Sequence, residues 1–111
     1  MQLTVITPTD MAYSGPVEKI VAESEAGSFG LLPRHIDFVT TLVSGLLSFV
    51  DREGEERVMA VEEGVLTKRG DRVSVAVIDA TRPRRLGEVS GTLEHQFAQL
   101  DERGRQRRGV L

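Results

Sequence analysis

Over the first 80 residues, apolar and polar positions alternate in short runs divided by Gly, Pro, Asp and Ser. Leu3, Val5 and Thr7 alternate with Gln2, Thr4 and Ile6, the period-two pattern of a strand with one buried face. Pro8-Thr9-Asp10 closes that strand. Ser14-Gly15-Pro16 predicts a turn, because Pro16 fixes φ. Val17 to Glu23 predicts a second strand, with Val17, Lys19 and Val21 on one face and Glu18, Ile20 and Ala22 on the other. Glu25 to Arg34 holds two Gly and one Pro and predicts a loop. Glu53-Gly54, between Gly45 to Arg52 and Glu55 to Glu62, predicts a hairpin. Gly70-Asp71, between Gly64 to Lys68 and Arg72 to Asp79, predicts another. In that last strand Val73, Val75 and Val77 face one way and Ala76 and Ile78 the other, which places it near the middle of the core. Many short strands at near-regular spacing predict a mainly β chain folded as a two-sheet β-sandwich or flattened barrel.

The period changes after Thr81-Arg82-Pro83. Leu86, Val89, Leu93, Phe97 and Leu100 recur at steps of 3, 4, 4 and 3, one stripe of a short C-terminal α-helix. That stripe must be buried, either on the sandwich or on a partner. Gly91 weakens the helix by about 1 kcal/mol relative to Ala, and Gly104 is a plausible stop. The expected organisation is a sandwich domain over 1–81 and a helix with a basic tail over 82–111.

Charge sharpens this division. Residues 1–81 carry 7 Lys/Arg against 13 Asp/Glu, and residues 82–111 carry 7 Arg against 4 Asp/Glu. An acidic body argues against nucleic acid as a ligand. The basic end, with no aromatic interleaved except Phe97, suits either a solvated tail or an acidic protein surface better than stacked bases. There is no Cys, which removes disulfides and thiolate chemistry. The N-terminus lacks a basic segment followed by a long apolar stretch, so no signal peptide is expected. The run from Phe38 to Val50 is broken by Thr40, Thr41, Ser44, Gly45 and Ser48 and is too short and polar to span a bilayer. Membrane contact is therefore expected only through a partner.

The residues do not assemble a catalytic or metal site. Gly27-Ser28-Phe29-Gly30 is not followed by Gly-Lys-Ser/Thr, so it reads as a permissive loop and not a phosphate cradle. His35 and Asp37 are close in sequence, but one His and one Asp make neither an acid/base constellation nor a metal centre. His35 is expected to hydrogen-bond its own backbone surroundings, and His95 to lie on a helix surface. Glu62 and Glu63, adjacent on a strand, point to opposite faces and are expected as surface charges. No catalytic residue, cofactor or metal is predicted.

The order of short motifs is more specific than any one of them. Gly27-Ser-Phe-Gly30-Leu-Leu-Pro33-Arg-His35-Ile-Asp-Phe-Val-Thr40, then an apolar strand opened by Gly45, resembles the epsilon-subunit pattern G-x-x-G-x-L-P-x-H-x-x-x-x-T of F-type ATP synthases. Leu3-Thr-Val-Ile-Thr-Pro8 with Ser14-Gly15-Pro16-Val17 looks like that family's opening, and Glu63-Gly64-Val65-Leu66 with Val73 to Ala80 like its closing strands. The resemblance covers about residues 2–81. It implies a non-catalytic central-stalk subunit that binds gamma and the c ring, turns with the rotor and couples ion translocation to ATP chemistry elsewhere. It places such a subunit peripherally on the cytoplasmic face of the inner membrane. The matching loop residues Ser28, Phe29, Leu31, Arg34 and His35 are then candidates for contact with the c ring or the foot of gamma. Val39, Thr41 and Leu42 are candidates for gamma, and the basic C-terminal end is one for the beta subunit. Two departures stand out. Asp37-Phe38 replaces the usual Pro and aliphatic residue, which looks more like the alternative N-type ATPase branch and leaves proton or sodium coupling open. One helical pattern replaces the usual two, and the Asp-x-x-Arg-Ala repeats that resemble an ATP site are absent, so no nucleotide binding is expected. The competing expectation is a free-standing sandwich that binds a peptide or small ligand, which the scarcity of aromatics disfavours.

Overall fold

The computed structural model describes residues 1–86. Their strands are β1 (Gln2–Ile6), β2 (Met11–Ser24), β3 (Gly27–Leu31), β4 (Phe38–Leu42), β5 (Gly45–Asp51), β6 (Glu56–Val61), β7 (Gly64–Arg69), β8 (Arg72–Val77) and β9 (Arg84–Arg85). They form the two layers of a β-sandwich. The first sheet runs β4-β7-β8-β1 and ends on the N-terminal part of β2. The second has the C-terminal part of β2 between β3 and β5, followed by β6 and β9. All pairings are antiparallel except β1 with β8, which lie parallel.

The core between the layers is built by period-two alternation. Leu3 and Val5, Leu66, and Val73 and Val75 turn inward from the first sheet. Ile20, Leu31, Leu47, Phe49 and Met59 meet them from the second. Burying each such side chain contributes about 1.5–3 kcal/mol relative to leaving it in water.

β2 departs from the sequence reading. Ser14-Gly15-Pro16 is not a turn, because one 14-residue strand runs through it and changes sheets. Pro16 pairs with Gln2 at the end of the first ladder, where a missing N–H costs least. Past that point the N-terminal ammonium donates to the Val17 carbonyl (3.1 Å) and Val17 N–H to the Met1 carbonyl (2.8 Å). A register shift between Val17 and Lys19 then inserts one extra residue. That bulge resets the alternation, so Val17, Ile20 and Ala22 are all buried although they do not share the predicted face. Tyr13, before the crossing, packs on Phe49 of the second sheet with ring centroids 4.4 Å apart. The two rings tie the layers at the corner.

Two further expectations need correction. Glu25 to Arg34 is not all loop, since β3 pairs with β2 from Ser24↔Gly27 to Ile20↔Leu31. Its two glycines hide the alternation that Phe29 and Leu31 complete. The turn before it needs Gly27, whose φ is +117°. β8 lies between β7 and β1 as expected of a central strand, yet only Val73, Val75 and Val77 are buried, while Ala76 and Ile78 are exposed. Its second apolar face is therefore an open surface.

Both predicted hairpins form. In β5–β6, Asp51 organises the turn: Oδ1 accepts the N–H of Glu53 and of Glu55, both at 3.0 Å, and Oδ2 accepts Arg57 Nε at 3.2 Å. In β7–β8, Gly70 takes the left-handed φ of +59° that a tight hairpin turn requires. Beyond β8 the chain continues as the short β9 against β6, pairing Arg85 with Arg57 and Arg84 with Val58. Arg82 and Arg85 meet the chain's own carboxylates on Asp10 and Glu55, each at 2.9 Å. Of the predicted helical stripe, only Leu86 is among the described residues, and it is exposed. Val89, Leu93, Phe97 and Leu100 lie outside them, as do His95 and the arginines from 103 onward.

Candidate docking surface

Two adjoining features of the described residues present unpartnered apolar groups. The first is the loop between β3 and β4. Leu32 to His35 forms a tight turn closed by His35 N–H to the Leu32 carbonyl (3.0 Å). The His35 ring lies 2.8 Å from the Ile36 carbonyl through Nδ1, which must carry the proton because a carbonyl can only accept. The same ring packs on Phe38 (4.9 Å between centroids), which meets Phe29 edge-on (5.9 Å). A short aromatic stack therefore props the loop from beneath. Asp37 does not pair with His35; its Oδ1 accepts the N–H of Gly70 in the β7–β8 turn (2.7 Å). Lys68, 2% exposed, sends Nζ to the carbonyls of His35 (2.6 Å) and Gly70 (2.7 Å). The outward groups are Leu32 (57% exposed), Arg34 and Ile36 (78% exposed).

The second feature is the outer face of the first sheet, where register sorts the side chains into bands. One row across five strands is Thr41, Val65, Ala76, Ile6 and Met11, all exposed. The next row, two residues along β4, β7, β8 and β1 and three along β2 because of the register shift in its ladder with β1, is Val39, Thr67, Ser74, Thr4 and Ser14, which is hydroxyl-bearing except at its edge. The third holds Arg69, Arg72 and Gln2. Val39, 67% exposed, is on the edge strand that leads directly from the loop. At the apolar end, Ile6, Pro8, Gly64, Ala76 and Ile78 help line a shallow cleft of about 330 Å³.

The sequence-predicted residues divide cleanly on this surface. Arg34, His35, Val39 and Thr41 are exposed on it, Ser28 is exposed on β3 of the second sheet, and Phe29 is half-buried under the loop. Leu31 and Leu42 are core residues, because strand alternation turns both inward. They make no part of an outer surface, and that expectation is corrected. Leu32 and Ile36, next to the predicted set, are the more exposed apolar groups. An isoleucine set between His35 and Asp37 in a loop is the signal that finds them. Lys68 has no such signal, since only folding brings it under the loop. Glu62 is buried, not a surface charge, while Glu63 on the opposite face is exposed and borders the cleft.

Shifted protonation lies elsewhere, in the β5–β6 hairpin. Burial pushes the Asp51 carboxyl up, but the N–H groups of Glu55 and Glu53 and the Arg57 charge outweigh it and hold the pKa below its ordinary value. Burial raises the pKa of the Tyr13 phenol. Among the described residues, no group of three or more His, Asp or Glu side chains is placed to hold a metal ion. Among the same residues no helix is long and apolar enough to cross a membrane.

A banded sheet face beside a braced end loop defines the class: a β-sandwich that carries exposed apolar groups on one sheet and on the loop leading into it. Residues 1–83 match the family model described as the beta-sandwich domain of the ATP synthase delta/epsilon chain. The chain belongs to the ATP synthase epsilon-chain family. It is 36% identical over 109 residues to the ATP synthase epsilon chain of Persephonella marina, covering 91% of this chain and 76% of that one. To the epsilon chain of Shouchella clausii it is 35% identical over 86 residues, covering 78% of this chain and 64% of that one. The chain thus spans only part of the length of these relatives. In fold it resembles a chain of the Euglena gracilis mitochondrial ATP synthase, with a TM-score of 0.69 at 21% identity, covering 94% of this chain and 62% of that chain.

Proposed function

We propose that this chain is a rotor-stalk subunit of an ATP synthase, which binds gamma and the c ring and so couples ion translocation to ATP synthesis or hydrolysis in the catalytic head. It contributes contact surface and no nucleotide chemistry of its own. Membership of the epsilon-chain family supports this reading. The observation that carries it to a site is the continuity of the exposed loop with the first sheet's outer face. Ser28, Arg34 and His35, with the exposed Leu32 and Ile36 beside them, are the proposed foot contacts. Val39 and Thr41 are the proposed gamma contacts. Membrane association then runs through the complex, on the cytoplasmic face of the inner membrane. A contact of the basic end with the beta subunit draws on the arginines from 103 onward, because Arg82 and Arg85 already engage Asp10 and Glu55.

The alternative of a free-standing ligand-binding sandwich would use the cleft beside Ile6 and Ile78, whose lining contains no aromatic ring. Binding of the purified chain to purified gamma separates the two readings. Association at micromolar concentration supports the rotor subunit. Failure to associate, together with thermal stabilisation by a small ligand alone, supports the alternative.

A further inference from the structure

We infer that Lys68, Asp37 and Gly70 form a reciprocal clasp that presets the loop for docking, which makes Lys68 and Asp37 positioning residues of the contact surface. The inference rests on the proposed docking role of the loop. β7 alternates, so Leu66 and Lys68 both face inward. An ammonium gives that position no apolar gain, and its burial is tolerated only with hydrogen-bond partners. Nζ finds two carbonyls, on His35 (2.6 Å) and Gly70 (2.7 Å). The second half of the clasp runs in the opposite sense, with Gly70 N–H donating to Asp37 Oδ1 at 2.7 Å. Gly70 therefore serves both halves, and its left-handed φ of +59° is the conformation in which it does so.

The two loop anchors are residues 35 and 37. Between them stands Ile36, the most exposed large apolar residue among those described. A side chain held at both flanks is presented before a partner arrives, so its ordering cost is met in the free protein and not at binding. A loop free to move would bind more weakly through the same contacts. Asp37 supplies the acceptor for the loop's half of the clasp, because its ionised carboxylate only accepts and takes the Gly70 N–H.

The test uses the full chain with Lys68→Met, which keeps most of the length and volume while removing the ammonium, and with Asp37→Ala and Asp37→Asn. Amide hydrogen exchange is read at residues 34–38 and Gly70, and at Val75 and Leu47 in the core. Affinity is read against a purified gamma–c ring subcomplex. Lys68→Met and Asp37→Ala are expected to speed exchange in the loop and at Gly70 by about tenfold or more with the core unchanged. Affinity is expected to fall by about tenfold. Asp37→Asn, which keeps an acceptor oxygen, is expected to restore most of both. Val75→Ala, a core change away from the loop, serves as the control for general destabilisation and should leave loop exchange relative to the core as in the wild type. Unchanged loop exchange in both clasp variants overturns the clasp. Faster exchange with unchanged affinity overturns its positioning role. If the wild-type chain does not bind the subcomplex, the docking reading fails and takes the positioning role with it, while the exchange data still judge the clasp. Should Lys68→Met not fold, Asp37→Ala carries the same test from an exposed side chain.

Discussion

Replacing Phe49 with alanine tests the joint that holds the two layers together. Phe49 is 1% exposed and, among the described residues, is the only aromatic ring that is fully buried. Its truncation removes apolar contact from both sheets and leaves a cavity the strands cannot close, which costs about 3–5 kcal/mol. It also removes the ring pair with Tyr13, worth about 0.5–1.5 kcal/mol beyond the buried area. A domain of this size has roughly 4–13 kcal/mol of stability in total, so Phe49→Ala should leave it near the edge of folding. Urea unfolding followed by circular dichroism measures the loss. Tyr13 is the single tyrosine of a chain without tryptophan, so its fluorescence reports the corner directly. Phe49→Leu, which keeps most of the volume, should cost clearly less. A double-mutant cycle with Tyr13→Ala should show coupling of at least about 0.5 kcal/mol. A loss below about 1.5 kcal/mol for Phe49→Ala, with no coupling to Tyr13, would refute the continuous β2 and the cross-layer ring pair.

Other consequences are equally direct. The Asp51 carboxyl has a folded pKa below its unfolded one, so the unfolded chain binds more protons as pH drops. Its contribution is present above the ordinary carboxylate pKa and is lost as pH falls through the depressed folded value. Asp51→Ala should lower the denaturation midpoint at neutral pH and flatten that acid limb, and an unaltered limb would contradict the assignment. At Gly64, an added Cβ would collide with the Ala76 carbonyl oxygen and come within 2.7 Å of Val77 Cα, both backbone atoms that cannot swing away. Gly64→Ala should therefore cost about 1–3 kcal/mol or more through overpacking, visible as a lower Tm; a neutral result would mean the β7–β8 ladder is looser than described. Ile36→Asp and Val39→Asp, on exposed positions, should change stability by less than about 0.5 kcal/mol while weakening association with gamma or the c ring. A loss of stability as large as the loss of binding would contradict their placement on the surface.

How much of this was legible in the sequence depends on whether local pattern or tertiary contact decides each element. The β5–β6 and β7–β8 hairpins could be read because Glu53-Gly54 and Gly70-Asp71 carry their own turn chemistry. β1 and β8 could be read from strict alternation. β3 could not, because Gly27 and Gly30 leave blanks where side chains would show the period. The crossing of β2 could not either: Gly15-Pro16 is written like a turn, and only the two separate ladders on either side make it a corner. The bulge at Val17 to Lys19 then puts Val17 on the same side as Ile20 and Ala22, which simple counting sets on opposite faces. Among the candidate contact residues taken from the motif that resembles the epsilon family, Arg34, His35, Val39 and Thr41 are exposed, as a contact residue must be. Leu31 and Leu42 were misplaced because a motif match carries no inside or outside. Lys68 and Glu62 were invisible as buried charges, since burial of a charged side chain depends on partners distant in sequence.

The proposed function places the loop around Ile36 against the rotor partners. The chain contains no Cys, so single substitutions Ile36→Cys and Leu46→Cys can carry a photoactivated cross-linker without background. Leu46 is exposed on β5 of the second sheet. After mixing with a gamma–c ring subcomplex and illumination, cross-linking to gamma or c is expected from position 36 and little from position 46. Equal cross-linking from both positions, or from position 46 alone, would contradict it.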